Sequence, residues 1–233
     1  MNFLAHSALA YDDPALLAGQ FAGDFVRGRD LSAYPPRVAT GIRLHRRMDA
    51  FTDAHPAVAA ARASFDPALR RHAGIVMDVV FDHLLARDWP APAGRDLATH
   101  ARWADTALSV HASVLPASLA RFADDARRTG LLEGNANVAA IGETLERLSR
   151  RSPRMAVLTL AAARGPSFVA PLEAVFATLW PALKAATDER LAALDEEVRG
   201  GEAREGASGV AGGEEGNDGR DGRDLTTNGR RRD

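Results

Sequence analysis

The segment 74–87, Gly-Ile-Val-Met-Asp-Val-Val-Phe-Asp-His-Leu-Leu-Ala-Arg, most constrains how this chain can fold. Ile75, Val76, Met77, Val79, Val80, Phe81, Leu84 and Leu85 cover nearly the whole circumference of a helix. A helix that is apolar all round is a buried one, so other elements must surround it. Those elements read as helices too. Proline punctuates the chain at Pro14, Pro35-Pro36, Pro56, Pro67, Pro90, Pro92, Pro116 and Pro166, and proline opens helices as readily as it ends them. Between these marks the apolar spacing predicts helices over about 14–26, 37–54, 56–65, 73–87, 97–114, 116–129, 138–150, 154–163 and 166–198. A short segment covers about 2–10, and Pro181 is expected to kink or break the last helix. No sustained alternation or Asn-Gly hairpin signals a strand. The expected architecture is all-α, a single multi-helix globular domain over 1–199.

Composition narrows the chemistry. With 233 residues, a domain of this size buries roughly 70% of its unfolded surface and needs no metal or disulfide staple to fold. The chain has no cysteine, which excludes a disulfide framework, a thiolate zinc site, an iron–sulfur cluster and a thiol nucleophile. From Gly200 to Asp233 only Val210 and Leu225 are large aliphatics, amid ten glycines and many charges. Such a stretch buries too little apolar surface to offset its ordering entropy, so 200–233 is expected to be a disordered tail. No export signal precedes Ala10, and no apolar run approaches the roughly 20 residues of a membrane span. A cytoplasmic protein with no membrane partner is therefore expected.

Several polar residues lie where apolar ones are expected. Asp78 and Asp82, four apart, share one face of the 73–87 helix, and His83 lies beside them. Buried carboxylates are costly unless paired or metal-bound, so an internal ion pair and a metal site both answer this pattern. His45, Asp49 and Asp53, at i, i+4 and i+8, form a second stripe, either a solvated face or part of a site. Asp24 points to the core side of its helix or frays into solvent, and His6 sits in the apolar run Phe3-Leu4-Ala5-His6. His and Asp from four segments suit zinc, iron or manganese, and a metal-activated water is the chemistry such a site best supports. His55, His72, His100 and His111 are assigned no role.

The overall net charge is -2, yet the stretch 27–71 holds nine Arg against four Asp, an excess of five. Guanidinium forks suit phosphate oxygens and carboxylates, which favours a phosphate ester or an acidic protein as substrate. Aromatics do not interleave with these arginines as stacking platforms would require, so nucleic acid is not expected.

Four motifs carry a resemblance. Met1-Asn-Phe-Leu-Ala-His6, Gly23-Asp-Phe-Val-Arg-Gly28, His45-Arg-Arg-Met-Asp49 with Thr52-Asp53, and Asp78-Val-Val-Phe-Asp-His83 together resemble the acyl carrier protein phosphodiesterases. Ser149-Arg-Arg-Ser-Pro-Arg154 adds a weaker likeness further on. The resemblance implies hydrolysis of the phosphodiester joining 4'-phosphopantetheine to a serine of holo acyl carrier protein. It also implies a divalent metal, typically Mn2+, and a distant kinship with the HD-domain phosphohydrolases. Here the adjacent pair reads Asp82-His83, the reverse of the order usual in that superfamily, and Ala8 stands where some relatives have a second histidine. The ligand set the resemblance implies is Asp24, His45, Asp82 and His83, with Asp78 a further ligand or an orienting group. His6 becomes a ligand or a proton donor to the departing serine oxygen. Arg46 and Arg47 become phosphate or carrier-protein contacts, with Arg27 at the rim. Two other functions fit the same residues: a metal-dependent phosphohydrolase acting on a nucleotide or small phosphoester, and a non-catalytic module that binds an acidic protein.

Overall fold

The computed structural model describes residues 3–210, with side chains described as far as Glu196 apart from that of Asp195. Helices α1 (Phe3–Ala8), α2 (Pro14–Ala22), α3 (Pro36–Ala54), α4 (Pro56–Ser64), α5 (Pro67–Arg70) and α6 (Ala73–Arg87) build the N-terminal half. Then follow α7 (Leu97–Val110), α8 (Ala117–Thr129), α9 (Leu131–Gly134), α10 (Ala139–Ser149), α11 (Leu158–Ala162) and α12 (Val169–Val210). No strand occurs among the described residues, and the expected all-α architecture is the one found. Several helices open on the prolines that punctuate the sequence, with aspartates as caps. Asp13 caps α2 through Leu16 N, Asp66 caps α5 through Ala68 N, and Asp96 caps α7 through Thr99 N. Gly130, in the left-handed region at φ 59°, ends α8.

Helix α6 lies in the core, as its apolar circumference requires. Val76, Met77, Val80, Phe81, Leu84 and Leu85 are all buried, together with Leu4, Leu17, Phe21, Ile42, Leu44 and Met48 from the helices around it. The α2–α3 crossing sets the geometry of everything built on those two helices. A Cβ on Gly41 would run into the Leu16 carbonyl and stand 2.8 Å from Gly19 Cα, so two glycines let the backbones touch. Of the kink or break expected at Pro181, the break does not occur: helix α12 continues through it. Residues Gly165–Leu194 are long and apolar enough, by length and composition alone, to cross a membrane. Leu172, Phe176, Leu179 and Leu183 within that stretch pack into the hydrophobic core. The compact body ends at Leu194. The backbone is helical through Val210, and 211–233, the greater part of the expected tail, lie outside the described residues.

Candidate metal centre and its cleft

Three helices bring the buried histidines and their carboxylates together. Helix α1 carries His6, α2 carries Gln20 and leads to Asp24, and α3 carries His45 and Asp49 one turn apart. His6 Nε2 lies 3.1 Å from Asp49 Oδ1. His45 Nε2 lies 3.2 Å from Asp49 Oδ2 and 3.3 Å from Asp24 Oδ1. The two imidazoles stack with centroids 3.9 Å apart. Gly23 makes room for this arrangement, because a Cβ there would collide with the His45 ring. The histidine side chains are 1% and 3% exposed, whereas Asp49 and Asp24 are 38% and 55% exposed. Imidazoles thus form the buried side of the cluster and carboxylates its open side.

The charge states follow from these contacts. Burial and the nearby His45 push His6 down to about 4, so it is neutral near pH 7. Burial alone would lower His45 as well, but the carboxylates of Asp24 and Asp49 raise it to about 9. Asp49, despite its burial, is held well below the usual carboxylate range, chiefly by the hydrogen bond from His45. Asp24 is lowered chiefly by its hydrogen bond to His45.

These residues fit a divalent cation. A ring nitrogen of His6, a ring nitrogen of His45 and an Asp49 oxygen lie within 4.8 Å of one another. His6 Nδ1 lies 3.0 Å from Gln20 Oε1. With Nδ1–H donated to that oxygen, the Nε2 lone pair of neutral His6 faces a carboxylate oxygen, and a cation between them resolves the contact.

The carboxylates open onto a cleft of about 770 Å³. Helix α6 contributes Gly74, Ile75, Met77, Asp78, Val79 and Phe81, and the α3–α4 region contributes Asp49, Thr52, Asp53, Val58 and Arg62. Phe3, Phe25 and Phe122 form an aromatic cluster in its lining, the Phe3 and Phe122 rings 4.2 Å apart. A family described as acyl carrier protein phosphodiesterase matches residues 1–183. This chain belongs to that family. A Yersinia pestis protein named acyl carrier protein phosphodiesterase is 34% identical over 187 residues, 78% of this chain and 95% of its own. A Serratia proteamaculans protein of the same name is 37% identical over 159 residues, 68% of this chain and 82% of its own. One from Salmonella agona is 48% identical over 89 residues, 38% of this chain and 46% of its own. No solved structure matches.

Within this family frame, the structure distributes the sequence-derived site residues unevenly. It gathers His6, Asp24 and His45, and places Asp78 in the lining of the same cleft, where burial raises its carboxyl. Asp82 points elsewhere: its oxygens accept from Leu4 N at 3.0 Å and Ala5 N at 3.2 Å, the start of the helix that carries His6. Burial pushes Asp82 up to about 7 even though both amides favour the ionised form. His83 Nδ1 lies 2.8 Å from the Asn135 carbonyl and donates to it. Arg46 donates to Gly28 O and Val26 O, each at 2.7 Å, tying the turn after Asp24 to α3. Arg27 and Arg47 are exposed and do not line the cleft. His100, given no role from sequence, is buried with Nε2 2.9 Å from Ser7 Oγ.

Three residues at the cleft and its cluster were not assigned from sequence. Asp49 belonged to the charged stripe but not to the ligand set, although its i, i+4 relation to His45 was the available signal. Gln20, wholly buried, is the one polar side chain in Pro-Ala-Leu-Leu-Ala-Gly-Gln-Phe-Ala, which marks it. Arg121 has no local signal, because nothing in α8 announces which face meets the cleft.

Proposed function

We propose that this protein hydrolyses the phosphodiester between 4'-phosphopantetheine and a serine of holo acyl carrier protein, giving apo carrier protein and 4'-phosphopantetheine. The observation that carries this reading is the His6–His45–Asp49 cluster opening on a 770 Å³ cleft in a chain of this family. His6, His45, Asp49 and Asp24 would hold the ion, with Mn2+ the proposed metal. When bound, a divalent cation polarises the phosphoryl group and lowers the pKa of an attacking water. The protein's own residues do the rest. Gln20 fixes the His6 tautomer and Asp82 fixes the start of α1, so the ligating nitrogens are preorganised. Asp78 lines the cleft with its carboxyl pKa raised by burial, which favours the protonated form that a proton donor needs. Arg62, held by Asp53 at 2.7 Å, presents a guanidinium to the same space. Water adds to phosphorus, the bond to the serine oxygen breaks, and that oxygen takes a proton.

Kinship with the HD-domain phosphohydrolases belongs to the same proposal. It is supported by His and Asp ligands drawn from separate helices of an all-α domain. A cytoplasmic location is likewise proposed, in keeping with a cysteine-free enzyme acting on a biosynthetic carrier. The test is incubation with holo acyl carrier protein, with and without Mn2+ and a chelator, followed by intact mass. Loss of one phosphopantetheine group only when metal is present is the expected outcome. An unchanged carrier mass alongside metal-dependent cleavage of a small phosphoester would instead favour the small-substrate phosphohydrolase.

A further inference from the structure

Nearly every acid lining the cleft is already answered by a cation or by burial. Asp24 and Asp49 share the one charged imidazole, His45, because His6 is neutral, so a single negative charge remains at the metal cluster. Asp53 pairs with Arg62, and Asp125 pairs with Arg128. Asp78 is shifted by burial toward its neutral form. The cations behave differently. Arg121 on α8 and Arg151, just past α10, both line this cleft and are exposed. Among the described residues neither makes an ion pair. The neighbouring Arg150 is engaged by Glu146 at 3.0 Å, so of the two adjacent arginines only Arg151 is left for the cleft. Apart from that single negative charge at the metal cluster, the uncompensated charge of the cleft is positive and sits on Arg121 and Arg151.

Their surroundings say what that charge suits. Phe122, Leu148 and Met155 line the cleft beside them. Exposed guanidinium forks next to apolar surface match a protein face bearing carboxylates, where arginine and aromatic groups carry recognition. Such rim charges steer and orient a charged partner rather than stabilise the reacting centre. We propose that Arg121 and Arg151 dock the acidic face of the carrier protein at the rim of the cleft, so selecting a protein-borne diester over a small one. This rests on the function proposed above, and it gives the Ser149-Arg-Arg-Ser-Pro-Arg154 motif a role.

The test compares wild type, R121E/R151E, R121K/R151K and the control R102E/R164E, which makes the same charge change away from this cleft. Steady-state cleavage of holo acyl carrier protein is measured at several salt concentrations. Binding is read separately by fluorescence anisotropy of labelled carrier protein. In R121E/R151E, KM and Kd should rise about tenfold or more, with the loss falling on KM rather than kcat and the salt dependence flattened. The lysine variant should keep most of the affinity, and the control should lose less than about twofold. Equal Kd in wild type and R121E/R151E overturns the proposal, as does an equal loss in the control. Wild type that does not bind carrier protein also overturns it. Wild type that binds carrier protein without cleaving it sinks the hydrolase reading alone, and anisotropy of the variants still decides the docking role.

Discussion

The α2–α3 crossing offers the sharpest test of how this fold holds its site, through Gly41→Ala. In an ordinary helix interior this change stabilises by about 1 kcal/mol, because alanine is the better helix former. Here the new Cβ would sit 2.8 Å from Gly19 Cα and 2.9 Å from Gln20 N, and would run into the Leu16 carbonyl. Carbon–carbon contact is comfortable at roughly 3.5 Å, so the helices must separate by at least about 0.7 Å. None of these atoms belongs to a flexible side chain that can swing away. Overpacking costs about 1–3 kcal/mol, and rigid backbone on every side puts this case at about 2–3 kcal/mol, so the expected net loss is about 1–2 kcal/mol after the propensity gain. For a body of this size that lowers Tm by about 3–6 °C. The shift also reaches the metal cluster, because α2 carries Gln20 and leads to Asp24 while α3 carries His45 and Asp49. Loosening the outer contacts of a metal site typically costs about 10–100-fold in affinity, so Mn2+ affinity by calorimetry should fall about tenfold or more. Gly134→Ala is the control, since nothing lies within 4 Å of a Cβ there. A Gly41→Ala protein with an unchanged or raised Tm and unaltered metal affinity would refute the argument.

Other outcomes follow from the same contacts. Asp49→Asn, which removes the charge shared by His6 and His45, should reduce metal-dependent cleavage by about 100-fold or more, read as initial rates across a Mn2+ titration. Asp82 gives a pH signature in metal-free protein. Its folded pKa of about 7 lies above the ordinary 3.8, so its stabilising contribution is full below about pH 4 and is lost as pH rises through 7. The swing is up to about 4 kcal/mol, and urea unfolding of wild type and Asp82→Asn at pH 5 and pH 8 should show it only in wild type. Identical slopes in both proteins would rule it out. Arg46→Ala frees the Val26 and Gly28 carbonyls and should cost about 1–2 kcal/mol, with faster amide exchange confined to 24–30.

Much of this was legible in the sequence because helix periodicity and proline punctuation are local. The apolar circumference of 73–87 required a buried helix, and α6 is one. Most helices lie close to their proline-marked segments, since a missing N–H and a fixed φ act within one turn. The stripe of His45 and Asp49 was visible for the same reason, because residues four apart share a helix face wherever the helix lies.

Which faces meet is a different matter, and only the tertiary structure decided it. From sequence, Asp82 enters the ligand set and Asp49 stays in a charged stripe, although each is a carboxylate on a helix near a histidine. Packing sends Asp82 to the amides of Leu4 and Ala5 and sends Asp49 to His6 and His45. That outcome depends on the angle and spacing of α1, α2, α3 and α6, and the backbone contact of Gly19 against Gly41 sets the α2–α3 part of it. Arg121 and Arg151 are distant in the chain from the metal stripe and reach its cleft only once α8 and α10 have packed. The sequence by itself determined the helices and the kinds of chemistry they carry. Close packing between them chose the partners, because a side chain's neighbours across a helix interface are fixed by long-range geometry rather than by local pattern.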